Sequence, residues 1–190
     1  LADGVIGQMM EKVVLPEQRT RLTDEEVIAR CPWATTGRTH HRTPNIITSL
    51  ELDPAEMEKR NIHLQKKYAE IEENEVRFEE LHCEDAEYLI VAFGSCARIA
   101  QKAMEMAREE GIKVGLLRPI TLWPFPSKAI AARAAQVKGI LTVELNAGQM
   151  VEDVRLAVEC KVPVEHFGRL GGIVPDPDEV ITALKEKLIK

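Results

Sequence analysis

The chain has 190 residues, of which 45% are hydrophobic and 29% are charged, and its formal net charge at pH 7 is −6. This length is enough for one full domain with an appendage or for two small domains, and the apolar fraction is typical of a protein with a packed core. The acidic balance argues against a nucleic-acid partner, because binding phosphates requires clustered basic side chains. No apolar run approaches the ~20 residues that cross a bilayer, so we expect a soluble protein without a membrane partner.

The four cysteines, Cys31, Cys83, Cys96 and Cys160, lie far apart in the sequence, and none belongs to a CxxC pair. Secreted disulfide scaffolds are usually smaller and richer in cysteine, and zinc or iron–sulfur sites normally contain close pairs. We therefore expect reduced thiols, a cytoplasmic protein and no metal site in this chain.

The first stretch, LADGVIGQMMEKVVLPEQ, has no initiator Met, and its Asp3-Gly4 pair is typical of a turn that ends a strand. Acidic residues interrupt its apolar residues, so it lacks the unbroken apolar run of a signal peptide. We interpret residues 1 to about 17 as the tail of a larger domain.

Two further features follow within residues 1–52. The segment LTDEEVIARC predicts a short helix, because Thr23 and Glu26 have the spacing of a capping box. The next segment, PWATTGRTHHRTPNI, contains too much Gly and Pro for regular structure. We predict that this loop, residues 33–46, is mobile in the isolated chain.

Residues 53–84 predict a long, highly charged helix that connects two parts of the chain. Asp53 is the expected cap, Pro54 takes the first helical position, and Glu56 completes a capping box. An apolar stripe with a seven-residue spacing runs along it, at Met57, Leu64, Ile71 and Phe78. We favour a connector that lies across its own chain, the alternative being a stripe that docks on a partner. Asn74 is the point at which the helix would divide.

Residues 85–190 predict an α/β domain. The short apolar runs YLIVAFGS, KVGLLR, GILTVEL and VPVEHFG alternate with helical segments, and DPDEVITALKEKLIK follows the last run. Four repeats of this alternation indicate a three-layer α/β/α arrangement with a mainly parallel sheet. The strands lack polar alternation, as expected when helices cover both faces.

Helix caps support this division. Ser95 is the expected cap of the first helix of the domain, and Asn146 with Gln149 is the expected capping box of the third. Asp176 and Glu179 have the same spacing at the start of the last helix.

Candidate functional residues follow from the rule that open parallel sheets bind ligands beyond the carboxyl ends of their strands. Strand by strand, these positions hold Gly94, Ser95, Cys96 and Arg98, then Arg118, then Glu144 and Asn146, and finally His166, Gly168 and Arg169. A thiol, a carboxylate and an imidazole at one edge could form a nucleophile and its base. Capping and packing explain the same residues more simply, so we favour a ligand or subunit contact over catalysis. FGSCARIA lacks GxGxxG and a P-loop lysine, so it does not predict nucleotide binding.

Five stretches together resemble a known family. ADGVIGQMMEKV, FGSCARIAQKA, LRPITLWPFP, VELNAGQMVEDVR and FGRLGGIVPDPDEV are similar, in order and spacing, to the alpha subunit of the 2-oxoacid:ferredoxin oxidoreductases, above all of the 2-ketoisovalerate (branched-chain) type. The resemblance covers essentially the whole chain and implies that it is the C-terminal portion of such a subunit. Residues 1–52 would be the tail of a pyrimidine-binding domain with an irregular linker, and residues 85–190 a domain similar to the C-terminal domain of transketolase.

The resemblance also implies a reaction. Such enzymes oxidatively decarboxylate a 2-oxoacid with thiamine diphosphate and Mg²⁺, pass the electrons through iron–sulfur clusters to ferredoxin, and form an acyl-CoA from coenzyme A. The parts that hold these groups lie upstream or in other subunits, so this chain alone is expected to be inactive, without catalytic, cofactor-binding or metal-binding residues. Its partners would be beta-, gamma- and delta-type subunits and, through the complex, ferredoxin; a homodimer stays open. The contact candidates are Ser95, Arg98, Arg118, Glu144, Asn146, Gly148, Gln149 and Arg169.

Two other hypotheses stay open on the sequence alone. One is a stand-alone module that binds coenzyme A or a nucleotide-like ligand in the strand-end crevice through Arg98, Arg118 and Arg169. The acidic net charge weakens it. The other is an assembly domain whose helical stripe docks on a partner.

Overall fold

The structure is a computed structural model that describes residues 14–18, 20–31, 33 and 46–189. The chain divides into two compact units, one within Met10–Leu64 and the other with its described part from Gln65 to Ile189. Most of the predicted domain tail and of the predicted mobile loop lies outside the described residues. No helix in the described part of the chain is both long and apolar enough to span a membrane.

In the smaller unit, helix α1 (Asp24–Arg30) begins at the predicted capping box. The Thr23 hydroxyl accepts a hydrogen bond from the Glu26 amide at 3.3 Å, and the Glu26 carboxylate accepts one from the Thr23 amide at 2.9 Å. Two of the amides that a helix start leaves without partners are thereby satisfied. The predicted short helix is confirmed.

Helix α2 (Pro54–Asn74) begins at the predicted cap, where an Asp53 oxygen accepts from the amides of Ala55 and Glu56 at 2.8 and 3.3 Å. The Glu56 carboxylate instead pairs with Lys59 at 2.6 Å. No described residue of α2 is buried, so tertiary packing contributes little to the helix.

The prediction that this helix continues to residue 84 is wrong. Asn74 ends it, with its side-chain amide donating to the Glu70 carbonyl at 2.7 Å. Strand β1 (Phe78–Leu81) follows and pairs antiparallel with a later strand, from Phe78 opposite Pro119 to Leu81 opposite Leu116. Pairing with that distant strand outweighs the helical spacing of Phe78, which belongs to the sheet.

The five-stranded sheet has the order β1-β3-β2-β4-β5. All neighbouring strands are parallel except β1 and β3, so the predicted mainly parallel sheet is confirmed. The four parallel strands correspond to the four predicted apolar runs: β2 (Tyr88–Ala92), β3 (Val114–Pro119), β4 (Gly139–Glu144) and β5 (Val164–Gly168).

Helices cover both faces of the sheet, as predicted. Their bounds are α3 (Gly94–Glu109), α4 (Ser127–Ala134), α5 (Met150–Val158) and α6 (Pro177–Leu184), and a π-helical turn follows over Lys185–Ile189. Helices α3 and α6 pack on the face that presents Ile90, and α4 and α5 on the face that presents Leu89. Successive strand residues point to opposite faces, so β2 contributes to both cores.

One of the predicted caps in this domain is confirmed and two are wrong. The Asp176 carboxylate and the Glu179 carboxylate form the expected box at α6, each accepting an amide at 3.1 Å. Phe93, rather than Ser95, occupies the cap position of α3, and Ser95 is buried in its first turn. Helix α5 begins after Gln149, and a residue of the preceding strand provides its cap.

Candidate functional site at the carboxyl edge of the sheet

The carboxyl ends of β2, β4 and β5 lie side by side. Ala92 of β2 pairs with Val143 of β4, and Glu144 at the end of β4 pairs with Gly168 of β5. The chain passes from β2 to β3 on one side and returns to β4 on the other, so strand order reverses between β2 and β4. This is the position at which open α/β sheets form a ligand crevice.

A buried carboxylate closes part of this crevice. Glu144 is 1% exposed, and one of its oxygens accepts hydrogen bonds from the amides of Gln149 and Met150 at 3.2 and 2.8 Å. The other oxygen accepts from the Val151 amide at 3.0 Å. Glu144 thereby caps α5 across the intervening loop. Its negative charge lies at the positive end of the helix dipole, where it is stabilising.

Two further hydrogen bonds order the loops after β4 and β5. The Asn146 side-chain oxygen accepts from the Gly148 amide at 2.7 Å, and the Arg169 amide donates to the Glu144 carbonyl at 3.2 Å. Gly148 has φ +113°, a conformation that favours glycine. The structure therefore brings together five of the eight predicted contact residues: Glu144, Asn146, Gly148, Gln149 and Arg169.

His166 completes this cluster from β5. Its Nδ1 lies 3.4 Å from a Glu144 oxygen and 3.3 Å from the Thr142 hydroxyl, which can itself donate to the Glu165 carbonyl. A proton on Nδ1 satisfies these acceptors together. A Cβ added at Gly168 would lie 2.2 Å from the Asn146 carbonyl oxygen, so the two loops are packed to contact.

The other three predicted contact residues belong to β3 and to the start of α3. Arg118 on β3 pairs with Glu79 of β1 at 3.0 Å, and strand order separates it from β4 by β2. Ser95 and Arg98 lie at the start of α3, with Ser95 5% exposed. Arg169 approaches Glu179 at 3.5 Å, and its Nε is buried without a hydrogen-bond partner among the described residues.

The chemistry of the cluster is that of a structural cap. All three amides that bond Glu144 belong to the start of α5, so this helix end cannot offer them to a phosphate. The predicted nucleophile and base are not arranged for catalysis on an outside substrate, since Cys96 is 3% exposed and Glu144 is 1% exposed. Within the described ranges, no three His, Cys, Asp or Glu side chains are grouped to hold a metal ion.

A buried thiol lies away from this edge. Burial raises the pKa of Cys83 to about 11, with a further contribution from the negative charge of Glu80. The Cys83 thiol lies 3.4 Å from the Leu116 carbonyl, to which it can donate. Cys83 therefore stays protonated and unreactive.

A groove of about 970 Å³ lies near the end of β3. Its lining includes Ala69, Glu72 and Glu73 near the end of α2, Val76 just after it, and residues 123–129, which lead into α4. Tyr68 packs edge-on against Trp123 with ring centroids 5.6 Å apart. The segment LRPITLWPFP, part of which lines this groove, contributes to the family resemblance. Neither the groove nor the capping role of Glu144 was predicted.

The fold is that of a three-layer α/β domain with a mainly parallel sheet. A solved structure described as a split gene transketolase, inactive beta4 tetramer, has the same fold, with a TM-score of 0.52 and 21% identity, covering 60% of this chain and 41% of that chain. A 2-oxoglutarate:ferredoxin oxidoreductase from Magnetococcus marinus, solved with 2-oxoglutarate, coenzyme A and succinyl-CoA bound, has a TM-score of 0.61 and 25% identity, covering 72% of this chain and 24% of that chain.

Sequence relatives define the family. Residues 86–180 match the family model for the pyruvate:ferredoxin oxidoreductase core domain II. The ketoisovalerate oxidoreductase subunit VorB of Methanothermobacter marburgensis is 42% identical over 186 residues, which cover 98% of this chain and 51% of that subunit. The chain belongs to the 2-oxoacid:ferredoxin oxidoreductase family. It spans about half the length of the curated relatives it matches.

The subunit designation needs a correction. The sequence resemblance implied an alpha subunit, but the ketoisovalerate relatives are named subunit VorB, a beta-type subunit. The family is as predicted, and the relatives with 42–44% identity are named for ketoisovalerate.

Proposed function

We propose that this chain is the transketolase C-terminal-like part of a VorB-type subunit. In the whole complex, that subunit contributes to the oxidative decarboxylation of a branched-chain 2-oxoacid to an acyl-CoA, with ferredoxin as the electron acceptor. The observation that carries this proposal is the 42% identity maintained over 98% of the chain to a subunit named for ketoisovalerate. Because the chain spans about half of that subunit, we assign the reaction to the whole assembly.

In this proposal the chain is a structural platform. The Glu144 cap and the Asn146 turn fix the loop that leaves β4, and packing at Gly168 holds the neighbouring loop after β5. A rigid edge of this kind suits contact with other parts of an assembly, because little conformational freedom is lost on binding. We retain the strand-end residues as contact candidates and assign catalysis to none of them.

We further propose that thiamine diphosphate, Mg²⁺, the iron–sulfur clusters and coenzyme A are held elsewhere in the complex. The arrangement of Glu144 supports this, since it occupies the amides at the start of α5 that could otherwise bind an anionic cofactor. The partners are then the other subunits of the oxidoreductase and, through them, ferredoxin, in the cytoplasm. The proposed domain division is residues 1–52, 53–84 and 85–190, except that the connector helix ends at Asn74 and β1 (Phe78–Leu81) joins the sheet of the last domain.

Thermal melting of this chain with and without ligands tests the platform role. We expect no change in Tm with thiamine diphosphate and Mg²⁺, or with coenzyme A. A ligand at a hundred times its Kd would add about 2.7 kcal/mol to the free energy of unfolding, which is readily measured. A shift with thiamine diphosphate would contradict the proposal. A shift with coenzyme A alone would favour the ligand-binding module, which the closed α5 end argues against.

A further inference from the structure

Large apolar side chains are exposed on the loops that leave the strands of the sheet. Each is between 42% and 58% exposed. They come from the loops after β3, β4 and β5 and consist of Ile120, Leu122, Trp123, Leu145, Leu170, Ile173 and Val174. We call these seven residues the carboxyl-edge surface.

The loops that enter the strands have the opposite character. In residues 82–87, 110–113, 135–138 and 159–163, all within the described part of the chain, no large apolar side chain is exposed. Ion pairs cover this edge instead, among them Asp85–Arg108, Glu87–Lys138, Glu110–Lys185 and Glu159–Lys161. One edge of the sheet therefore carries exposed apolar side chains on three loops, whereas ion pairs cover the other edge. Apolar side chains exposed together on one face are typical of interaction sites.

The apolar side chains are presented on ordered loops. After β3, the Ile120 and Thr121 amides donate to the Arg77 carbonyl at 2.9 and 3.1 Å, and the Thr121 hydroxyl can donate to the Pro124 carbonyl at 2.9 Å. After β4, Leu145 directly follows Glu144, which caps α5. The loops need little ordering on contact, so more of the burial energy is available for association.

The length of the relatives points to one occupant for this surface. The match to the Methanothermobacter marburgensis subunit accounts for 51% of that subunit, so about as many residues again lie outside it. We propose that the carboxyl-edge surface packs against that remaining half of the subunit, through an apolar centre with a polar rim. This inference rests on the proposed role of the chain as part of a larger subunit. Beyond that role, it assigns the carboxyl-edge surface as the face of this domain that contacts the remaining half.

Cysteine labelling tests the inference without reference to enzyme activity. Leu122→Cys places a thiol on the carboxyl-edge surface, and the matched control Leu156→Cys places one on α5, where the native side chain is 77% exposed. The chain would be labelled with a maleimide alone and after joining to the unmatched half of the Methanothermobacter marburgensis subunit. Peptide mass separates these positions from the native exposed Cys160.

We expect both positions to react in the isolated chain. In the joined subunit, labelling at position 122 should slow at least tenfold, while position 156 should react at an unchanged rate. Equal labelling of position 122 in the two forms overturns the proposal. Protection of position 122 that grows with the concentration of the isolated chain also overturns it, because the surface would then be covered by a second copy.

A second pair of variants covers the case in which the joined subunit does not fold. Ile173→Glu and the control Leu156→Glu both replace exposed side chains, so neither should lower the Tm of the isolated chain by more than about 2 °C. With the two halves co-expressed as separate chains, Ile173→Glu should reduce co-purification at least tenfold and Leu156→Glu should not. If Ile173→Glu leaves co-purification unchanged, the proposal is wrong. It is also wrong if the unmodified chain does not co-purify with the other half. Loss of ketoisovalerate oxidation with both contact readouts intact would count only against the proposed function.

Discussion

Replacing Glu144 with glutamine should destabilise the domain although the side chain keeps its size. The two carboxylate oxygens accept three backbone amides at 2.8 to 3.2 Å in a buried position. An amide side chain retains one oxygen, so whichever way it turns, its NH₂ group faces at least one of the amides of Gln149, Met150 and Val151. A buried donor then loses its acceptor, and the charge at the helix start is lost with it.

The magnitude follows from these contacts. A hydrogen bond to a charged group contributes about 1.5–3 kcal/mol. A negative charge at a helix N-terminus adds about 0.3–1 kcal/mol. We therefore expect Glu144→Gln to lower the free energy of unfolding by roughly 2–4 kcal/mol. For a chain of this size, that corresponds to a fall in Tm of about 5–12 °C.

The assay is urea denaturation followed by circular dichroism, with thermal melting as a second measurement. Glu152→Gln is the matched control, because Glu152 is an exposed acidic residue in the first turn of the same helix. It should cost less than about 1 kcal/mol. If Glu144→Gln lies within about 0.5 kcal/mol of this control, the carboxylate does not hold the loop and the structural account of the cluster is wrong.

Three further predictions concern other parts of the domain. Gly168→Ala should lower the free energy of unfolding by about 1–3 kcal/mol, because the added Cβ meets the Asn146 carbonyl oxygen at 2.2 Å; unchanged urea denaturation would contradict this packing. The hydrogen bond from Arg108 holds the pKa of Asp85 below its usual 3.8, so its contribution is present above that pH and is lost as the pH falls further. Asp85→Asn should therefore flatten the loss of stability measured below about pH 4, and an unchanged slope would refute this. At pH 8, Cys83 should resist maleimide while Cys160, which is exposed, reacts, and comparable rates would contradict the burial of Cys83.

Features that depend on nearby residues were predictable. The boxes at Thr23 and at Asp176 each join residues three positions apart, so the sequence contains the whole interaction. The four parallel strands were also predictable, because continuous apolar runs are typical of strands that helices cover on both faces. The order of the strands and the identity of the edge strand do not follow from these patterns.

Features that depend on distant contacts were not predictable. The strand at Phe78 exists because it pairs with β3, about forty residues later, whereas its local spacing fits a helix. Glu144 lies at the end of a strand and caps a helix across a five-residue loop, outside the three-residue spacing of a capping box. The side chains of Asn146 and Gln149 have the spacing of a capping box. The Glu144 carboxylate instead accepts the backbone amides at the start of α5, because a charged group forms stronger hydrogen bonds.

The candidate site was predictable as a region but not in its detail. The rule for parallel sheets led to the carboxyl edge, and five of the eight contact candidates lie around Glu144. Arg118 is held by Glu79 of a strand that was not predicted, which explains why it lies apart. The apolar side chains of the carboxyl-edge surface were not predicted as a group, because their exposure to solvent depends on tertiary packing.

The most direct test of the central claim is to tag this chain in its source organism, purify what assembles with it, and assay 2-oxoacid oxidation. We predict an assembly with other oxidoreductase subunits that reduces ferredoxin in the presence of 2-ketoisovalerate and coenzyme A, and that does so faster than with pyruvate or 2-oxoglutarate. A preference for pyruvate or 2-oxoglutarate would contradict the ketoisovalerate assignment. Purification of the chain without other subunits and without this activity would contradict its place in an oxidoreductase complex.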